Sequence, residues 1–169
     1  MEILKDKDVF LNPEHETPEK FEDRQTVKII IKNDKGEVAF VTNPIHKFFI
    51  LPGGGAESDD LKKEAEREAL EEVNYHIDIT REIGKIEEFR NRNAKHYITT
   101  CFLAKAIKEG EEDLRTDGEK ENGLETKWLS VEEAKSVLDK QVEEVKKGEV
   151  KFYNTAFNII RDSYFVGLI

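Results

Sequence analysis

The feature that most constrains this chain is a change of period across a run of glycines. Before Pro52-Gly53-Gly54-Gly55 the apolar residues come in short β-branched blocks: Thr26-Val-Lys-Ile-Ile-Ile-Lys, Glu37-Val-Ala-Phe-Val-Thr and Lys47-Phe-Phe-Ile-Leu. These read as strands, the first two joined as a hairpin through Asn33-Asp34-Lys35-Gly36. After the glycines, Leu61, Ala65, Ala69 and Val73 recur every four residues, which is a helical stripe. Asp59 or Asp60 supplies an N-cap. The chain therefore runs from sheet through bare backbone into an amphipathic helix.

Strand-like stretches resume at Ile77 to Thr80, Glu82 to Phe89, His96 to Ile107 and Leu124 to Leu129. Ser130-Val-Glu-Glu133 spells a capping box that opens a helix through about Lys140. Tyr153, Ala156, Phe157, Ile160 and Tyr164 predict a final helix over about 150–166, packed on the sheet or, less economically, forming a dimer contact. Residues 1–25 are polar, with Pro13 and Pro18, and read as a lead-in in which Val9 to Leu11 add a short edge strand. Residues 109–121 carry seven acids against two basic residues and read as an exposed loop. Strands and helices mix without strict alternation, which predicts an α/β layer sandwich around a mixed β-sheet rather than a doubly wound fold.

Composition narrows the partners. The 169 residues fit one domain. Against 27 Lys plus Arg stand 37 Asp plus Glu, a formal charge of −10, so no basic face is expected for a long nucleic acid. The single cysteine, Cys101, excludes an internal disulfide and suits a reducing compartment. No run is long enough for a membrane span, and Met1 to Asp8 lack the apolar core of a secretory signal. The expectation is a cytoplasmic protein, monomer or homodimer.

The chemistry sits at residues 53–75. At 100° per residue, Glu64, Glu68, Glu71 and Glu72 share roughly a third of the helix circumference. Like charges one turn apart repel by about 0.2–0.5 kcal/mol per pair. A Glu-rich face is most often merely solvated. Here Arg67 lies inside the acidic patch, and the glycine loop precedes it. Mg²⁺ is a hard cation that takes carboxylate oxygens and shares its shell with substrate phosphates. Carboxylates beside a loop that lets backbone approach a ligand suit that chemistry. A Walker-type phosphate loop is excluded, since no Gly-Lys-Ser/Thr follows.

These residues resemble the Nudix box, Gly-x5-Glu-x7-Arg-Glu-apolar-x-Glu-Glu-x-Gly-apolar. Gly53 fits the first position, Arg67-Glu68-Ala69-Leu70-Glu71-Glu72 fits the central run, and Tyr75 takes the closing place. Phe49-Ile-Leu-Pro-Gly-Gly and Glu57 resemble the family's approach to the box, and the resemblance spans roughly 26–140. Asp59 replaces a Glu and Asn74 replaces a Gly; asparagine tolerates left-handed backbone best among non-glycine residues. The resemblance implies a Nudix-type α/β/α sandwich over residues 26–169 with an additional C-terminal helix. It also implies hydrolysis of a nucleoside diphosphate linked to a group X, with Mg²⁺ or Mn²⁺.

Carried over by position, Glu71 and Glu72 hold the metal. Glu68 is a further ligand or the base that activates water, Arg67 orients a carboxylate, and the Gly53 carbonyl completes the shell. Gly54, Gly55, Phe49 and Glu57 contact substrate. A base from outside the box has the candidates Glu111, Glu112, Asp113 and Glu125. Phe48, His46, His96 and Tyr97 are candidates for base recognition, and Trp128 reads as a core or edge aromatic. The family's ADP-ribose hydrolases usually carry a proline about fifteen residues past the box; Arg90 and Asn91 stand in that neighbourhood, so small nucleoside triphosphates or dinucleoside polyphosphates are favoured. The alternatives are a non-catalytic Nudix-like nucleotide-binding regulatory module, which would be expected to lose box carboxylates, and an unrelated acidic interaction domain.

Overall fold

The computed structural model describes residues 2–45, 47–115, 117–121 and 123–169. Its strands are β1 (Glu2–Lys5), β2 (Glu22–Lys32), β3 (Val38–Thr42), β4 (Tyr75–Arg90), β5 (Lys95–Glu109) and β6 (Glu125–Leu129). Its helices are α1 (Asp6–Val9), α2 (Leu61–Glu68), α3 (Asp117–Glu121), α4 (Val131–Lys146) and α5 (Tyr153–Gly167). The strands form one mixed sheet in the order β1-β4-β5-β2-β3-β6, with β1–β4 and β2–β5 parallel and the other pairs antiparallel.

Alternation along β2 divides the core. Val27, Ile29 and Ile31 face α2 and pack with its Ala65, Ala69 and Val73. Ile30, one residue out of phase, joins Ala134 and Leu138 of α4 and Phe165 and Val166 of α5 on the opposite face. Helices therefore cover both faces of the sheet, as expected. Ser130 and Glu133 form the capping box of α4, which runs one and a half turns past the expected Lys140 because Val142 and Val145 continue its apolar face.

Three differences from expectation have local causes. Val9 to Leu11 do not pair as an edge strand. The edge strand is Glu2–Lys5, and Val9 and Phe10 instead pack beneath α5, where Phe10 stacks on Tyr153 at 5.1 Å. The Asp6 carboxylate fixes that turn by accepting from the Tyr153 hydroxyl at 2.6 Å and from Asn91 N at 3.1 Å. Lys47 to Leu51 is not a strand either. Lys47 N bonds back to Asn43 O and its backbone is left-handed (φ 55°), so only Ile50 bridges to Val41. The two segments expected at Ile77–Thr80 and Glu82–Phe89 are one strand, β4, with register shifts near His76, Ile79 and Glu82 that let it bend while still pairing with β5.

β2 and β3 are joined by the expected turn, yet their register contains only Lys32 opposite Val38. The strands then diverge, and the loop from Ile50 to Ala56 fills the gap. Val27 N donates to Gly54 O, Ile29 N to Pro52 O, and Ala56 N to Gln25 O. The loop serves as a short surrogate strand, so the edge of β2 keeps its hydrogen bonds.

Beneath α5 lies a buried ionic lattice. Arg161 Nε donates to Asp162 Oδ1 at 2.9 Å and Arg161 Nη1 to Glu88 Oε2 at 3.3 Å. Arg90 Nη2 donates to Glu88 Oε1 at 2.8 Å, and Thr99 adds a hydroxyl to Glu88. Asp162 Oδ2 accepts from Leu51 N at 2.9 Å, which ties the helix to the loop that precedes the glycines. Glu88 and Asp162 are fully buried. Burial opposes the Glu88 charge, but Arg161 and Arg90 outweigh it and hold the carboxyl below its usual range. Arg161→Met should lower unfolding stability by about 3–5 kcal/mol, because two carboxylates then lose a buried partner. Urea denaturation of the variant against wild type measures it.

Candidate active site

The site is built where α2 meets the loop in the split sheet. Asp60 caps α2 by accepting from Lys63 N at 3.3 Å, and Asp59 is left exposed. At Ala69 the helix widens into a π-turn, Ala69–Val73, so the 100° spacing does not extend through Glu71 and Glu72. Asn74 ends it in left-handed backbone (φ 58°), the conformation expected of an asparagine in a glycine position. Gly110 closes against it, donating to Asn74 O at 2.8 Å.

Arg67 is the hub. Its Nη2 donates to Glu64 Oε2 at 2.9 Å, to Glu68 Oε1 at 2.8 Å and to the Gly55 carbonyl at 3.2 Å, and its Nη1 donates to Glu71 Oε2 at 2.8 Å. A planar five-donor guanidinium can hold three carboxylates at fixed angles, which an ammonium cannot. Bonds from the Ser58 hydroxyl and from Arg67 hold the Glu64 carboxyl down to about 2. Glu68 moves the other way. Burial pushes its carboxyl above the ordinary range, and Arg67 offsets this only in part.

The glycines differ in what they permit. Gly53 has φ 126°, and a Cβ there would stand 2.2 Å from the Val27 carbonyl oxygen. A Cβ on Gly54 would stand 2.8 Å from Glu68 Oε1, so the bare Cα lets that carboxylate lie against the loop. Gly55 is exposed and meets nothing within 4 Å. Gly53 N donates to Glu72 Oε2 at 2.6 Å, which couples loop to helix end.

Lys28 was not marked by its sequence context, a strand of isoleucines. Its side chain is buried, and Nζ donates to Gly53 O at 2.6 Å and to Leu51 O at 2.8 Å. The Gly53 carbonyl, expected to face a metal, is thus already engaged by an ammonium. A cation reaching it would compete with Lys28. Burial lowers the Lys28 pKa, with Glu72 and Glu68 pulling the other way.

Two cavities flank the loop. One, of about 570 Å³, is lined by Arg24, Glu57, Arg67, Glu68 and Tyr97 among others. The second, of about 280 Å³, opens on the α5 side and is lined by Lys28, Phe48, Gly53, Glu72, Leu124, Thr155 and Asn158 among others. Phe49, the aromatic expected at the substrate, packs edge-to-face on Phe40 at 6.3 Å, with its backbone clamped by Gln141; Phe48 is the one at the cavity wall.

The remaining candidates lie apart from this cluster. Glu111 pairs with Lys108, Asp113 with Arg115 and Glu125 with Lys127 on the surface, and Glu112 is exposed. His96 spans the sheet between Asp23 and Glu87, at 2.9 and 2.7 Å, and stacks on Phe89 at 4.2 Å. His46 lies outside the described residues. Trp128 is half-buried, edge-on to Tyr75.

With the geometry in view, comparison with known proteins identifies the fold. The profile of the NUDIX domain matches residues 22–153. The chain belongs to the Nudix hydrolase family. Among solved structures, a NUDIX hydrolase from Nitrosomonas europaea is similar over 83% of this chain and 89% of its own, at 16% identity and a TM-score of 0.56. A MutT protein from Methanosarcina mazei Go1 is similar over 80% of this chain and 100% of its own, at 19% identity and a TM-score of 0.50. At these identities the likeness speaks for the fold. A comparison with curated proteins finds no match.

Family membership implies a divalent cation. Among the described residues no three carboxylate, imidazole or thiolate side chains converge closely enough to hold one, since Arg67 stands between Glu68 and Glu71. The donor set nonetheless fits a hard cation. It is all carboxylate oxygen, and Glu68 is buried with its charge only partly compensated. No helix among the described residues is long and apolar enough to cross a membrane.

Gly53→Ala should destabilise the fold by at least about 2 kcal/mol, because the new Cβ strikes backbone and the φ is unsuited to it. Gly55→Ala should stay within about 0.5 kcal/mol of wild type. Paired thermal melts check the contrast.

Proposed function

We propose that this Nudix chain is a divalent-metal-dependent pyrophosphohydrolase acting on a nucleoside diphosphate linked to X, most economically a small nucleoside triphosphate or a dinucleoside polyphosphate. The observation that carries the reading is the Arg67 fork. It gathers Glu64, Glu68 and Glu71 on one helix face against the Gly54–Gly55 backbone, beside the Gly53–Glu72 contact. A merely solvated acidic face has no use for a half-buried arginine bonded to three carboxylates and a loop carbonyl.

Glu68, Glu71 and Glu72 would hold Mg²⁺ or Mn²⁺, whose charge acidifies a water and draws electron density from the pyrophosphate. The chain's own groups do the rest. Arg67 keeps the carboxylates aimed while charge redistributes, so little reorganisation is needed as the reaction proceeds. Glu68 would serve as a further ligand or as the base that takes the water proton. Lys28 sets a fixed positive charge near Glu72 on the cavity side, where phosphate oxygens are expected. Water forms a new P–O bond at the α- or β-phosphorus, the α–β bridging P–O bond breaks, and the leaving pyrophosphate or nucleoside monophosphate carries off the electron pair. From a nucleoside triphosphate the products are a nucleoside monophosphate and pyrophosphate. The net charge of −10 does not forbid an anionic substrate, since bound cations invert the local field.

The test is a nucleotide panel with Mg²⁺ and with Mn²⁺, on wild type and Glu71→Gln. Divalent-dependent release of a mononucleotide is expected, and the variant should lose at least about a hundredfold in rate. Equal rates in the two proteins contradict the site. Binding without turnover favours the regulatory module instead.

A further inference from the structure

Leu51, Pro52 and Gly53 are buried, so each of their backbone polar groups needs a partner. Proline contributes no N–H, and Pro52 O accepts from Ile29 N at 3.0 Å. All the others meet charged side chains. Leu51 N donates to Asp162 Oδ2 at 2.9 Å and Gly53 N to Glu72 Oε2 at 2.6 Å. Lys28 Nζ donates to Leu51 O at 2.8 Å and to Gly53 O at 2.6 Å. Two carboxylates therefore hold the N–H groups of this stretch, while one ammonium holds its carbonyls. Burial and Arg161 oppose the Lys28 charge, and Asp162 and Glu72 favour it, so the clamp is consistent in charge as well as in hydrogen bonding.

The two carboxylates are not equivalent. Asp162 lies on α5, 111 residues from Leu51 along the chain, and is fully buried. Its other oxygen, Oδ1, accepts from Arg161 Nε at 2.9 Å, and Arg161 Nη1 donates in turn to the fully buried Glu88 at 3.3 Å. A side chain bonded at both oxygens inside a buried lattice is a stationary anchor. Glu72 is only half-buried, in the π-turn, and takes the Gly53 N–H. The aim of Glu72 thus follows the position of Gly53, and Gly53 follows the clamp. Removing the Asp162 acceptor would leave the Leu51 N–H buried without a partner, a cost the loop relieves by moving toward water. That movement carries Gly53 away from Glu72. Partners that orient a metal-ligating carboxylate typically change metal affinity by about 10- to 100-fold.

We propose that Asp162, acting through Leu51, Lys28 and Gly53, is a positioning residue that aims the Glu72 carboxylate at the divalent cation. This rests on the hydrolase reading above, in which Glu72 is a metal ligand. It gives the extra C-terminal helix a part in the metal site as well as in covering the sheet.

The test pairs residue-resolved hydrogen exchange in the metal-free protein with Mn²⁺ binding followed by electron paramagnetic resonance. In wild type the Leu51 and Gly53 amides should exchange as slowly as those of Val27 and Ile29 in β2, although they lie in a loop. Exchange at the rate of the exposed turn at residues 34–36 overturns the proposal. Asp162→Asn should speed Gly53 exchange by at least about tenfold relative to β2 and weaken Mn²⁺ binding by about 10- to 100-fold. In a Glu72→Gln background the same change should weaken Mn²⁺ binding no further, because both act through one carboxylate. Additive losses overturn the proposal, since a distant charge acting on its own would produce them. Ile159→Ala controls for lost stability: Ile159 packs in an α5 cluster that holds none of residues 51–53. It should lower the melting temperature and leave Mn²⁺ affinity within about twofold. A merely structural role for Asp162 would make Asp162→Asn behave like this control. Should Asp162→Asn fail to fold, Lys28→Met opens the clamp from its other side, and unchanged Gly53 exchange in that variant overturns the proposal. Absence of Mn²⁺ binding to wild type overturns the hydrolase reading and this proposal together. Equal Mn²⁺ binding by wild type and Asp162→Asn overturns this proposal alone.

Discussion

Two backbone hydrogen bonds, from Val27 to Gly54 and from Ile29 to Pro52, hold a loop where a strand would ordinarily lie. The rest of the site depends on that substitution. Because the loop occupies the split between β2 and β3, the carboxylates of α2 approach it from one face of the sheet and Lys28 from the other. Gly53 can take the required path only without a side chain, as the Val27 carbonyl fills the space a Cβ would need. The loop is then fastened at three points: Glu72 to Gly53 N, Arg67 to Gly55 O, and Asp162 to Leu51 N. Two fasteners come from the continuous helical segment of α2 and its π-turn and the third from α5, so the loop's position depends on the helices of both faces of the sheet.

Charge is distributed with the same economy. An acidic protein concentrates two of its arginines where they are most desolvated, at Arg90 and Arg161, each bonded to the buried Glu88. That lattice seats α5 against the sheet. At the other end of the loop, Arg67 meets three carboxylates with a single positive charge, leaving the cluster net negative. A buried lattice that is close to neutral keeps a shape; a cluster beside a cavity with surplus negative charge attracts a cation. The contrast between Glu88, held low by two guanidinium groups, and Glu68, pushed up by burial that one shared arginine does not offset, expresses this in proton affinity.

Much of this was legible in the sequence. The glycine run, the four-residue stripe from Leu61 to Val73 and the Arg67–Glu72 spacing are local patterns, and local patterns survive folding because they are set by helix geometry and backbone sterics. The capping box at Ser130 and the left-handed Asn74 belong to the same class. What was not legible depends on partners far apart in the chain. Lys28 reads as an outward-facing strand lysine until the loop of residues 51–53 folds over it. Arg90 stood out only for not being proline, yet it links Glu88 to Asn154 and Asn158, more than sixty residues away. The segment Lys47–Leu51 has the composition of a strand, but a left-handed Lys47 and the pull of Asp162 and Gln141 shape it as a loop. Val9 to Leu11 have the composition of an edge strand, but Val9 and Phe10 pack under a helix that arrives last in the chain.

The central claim is that the Glu68, Glu71 and Glu72 oxygens beside the glycine loop form one divalent-cation site despite the arginine among them. Diffraction from crystals grown with Mn²⁺, with data collected to locate manganese by its anomalous signal, tests this directly. The account predicts a peak bounded by those carboxylates, with the Arg67 guanidinium withdrawn from at least one of Glu68 and Glu71. A map without manganese there, with Arg67 still bonded to Glu64, Glu68 and Glu71, would contradict it.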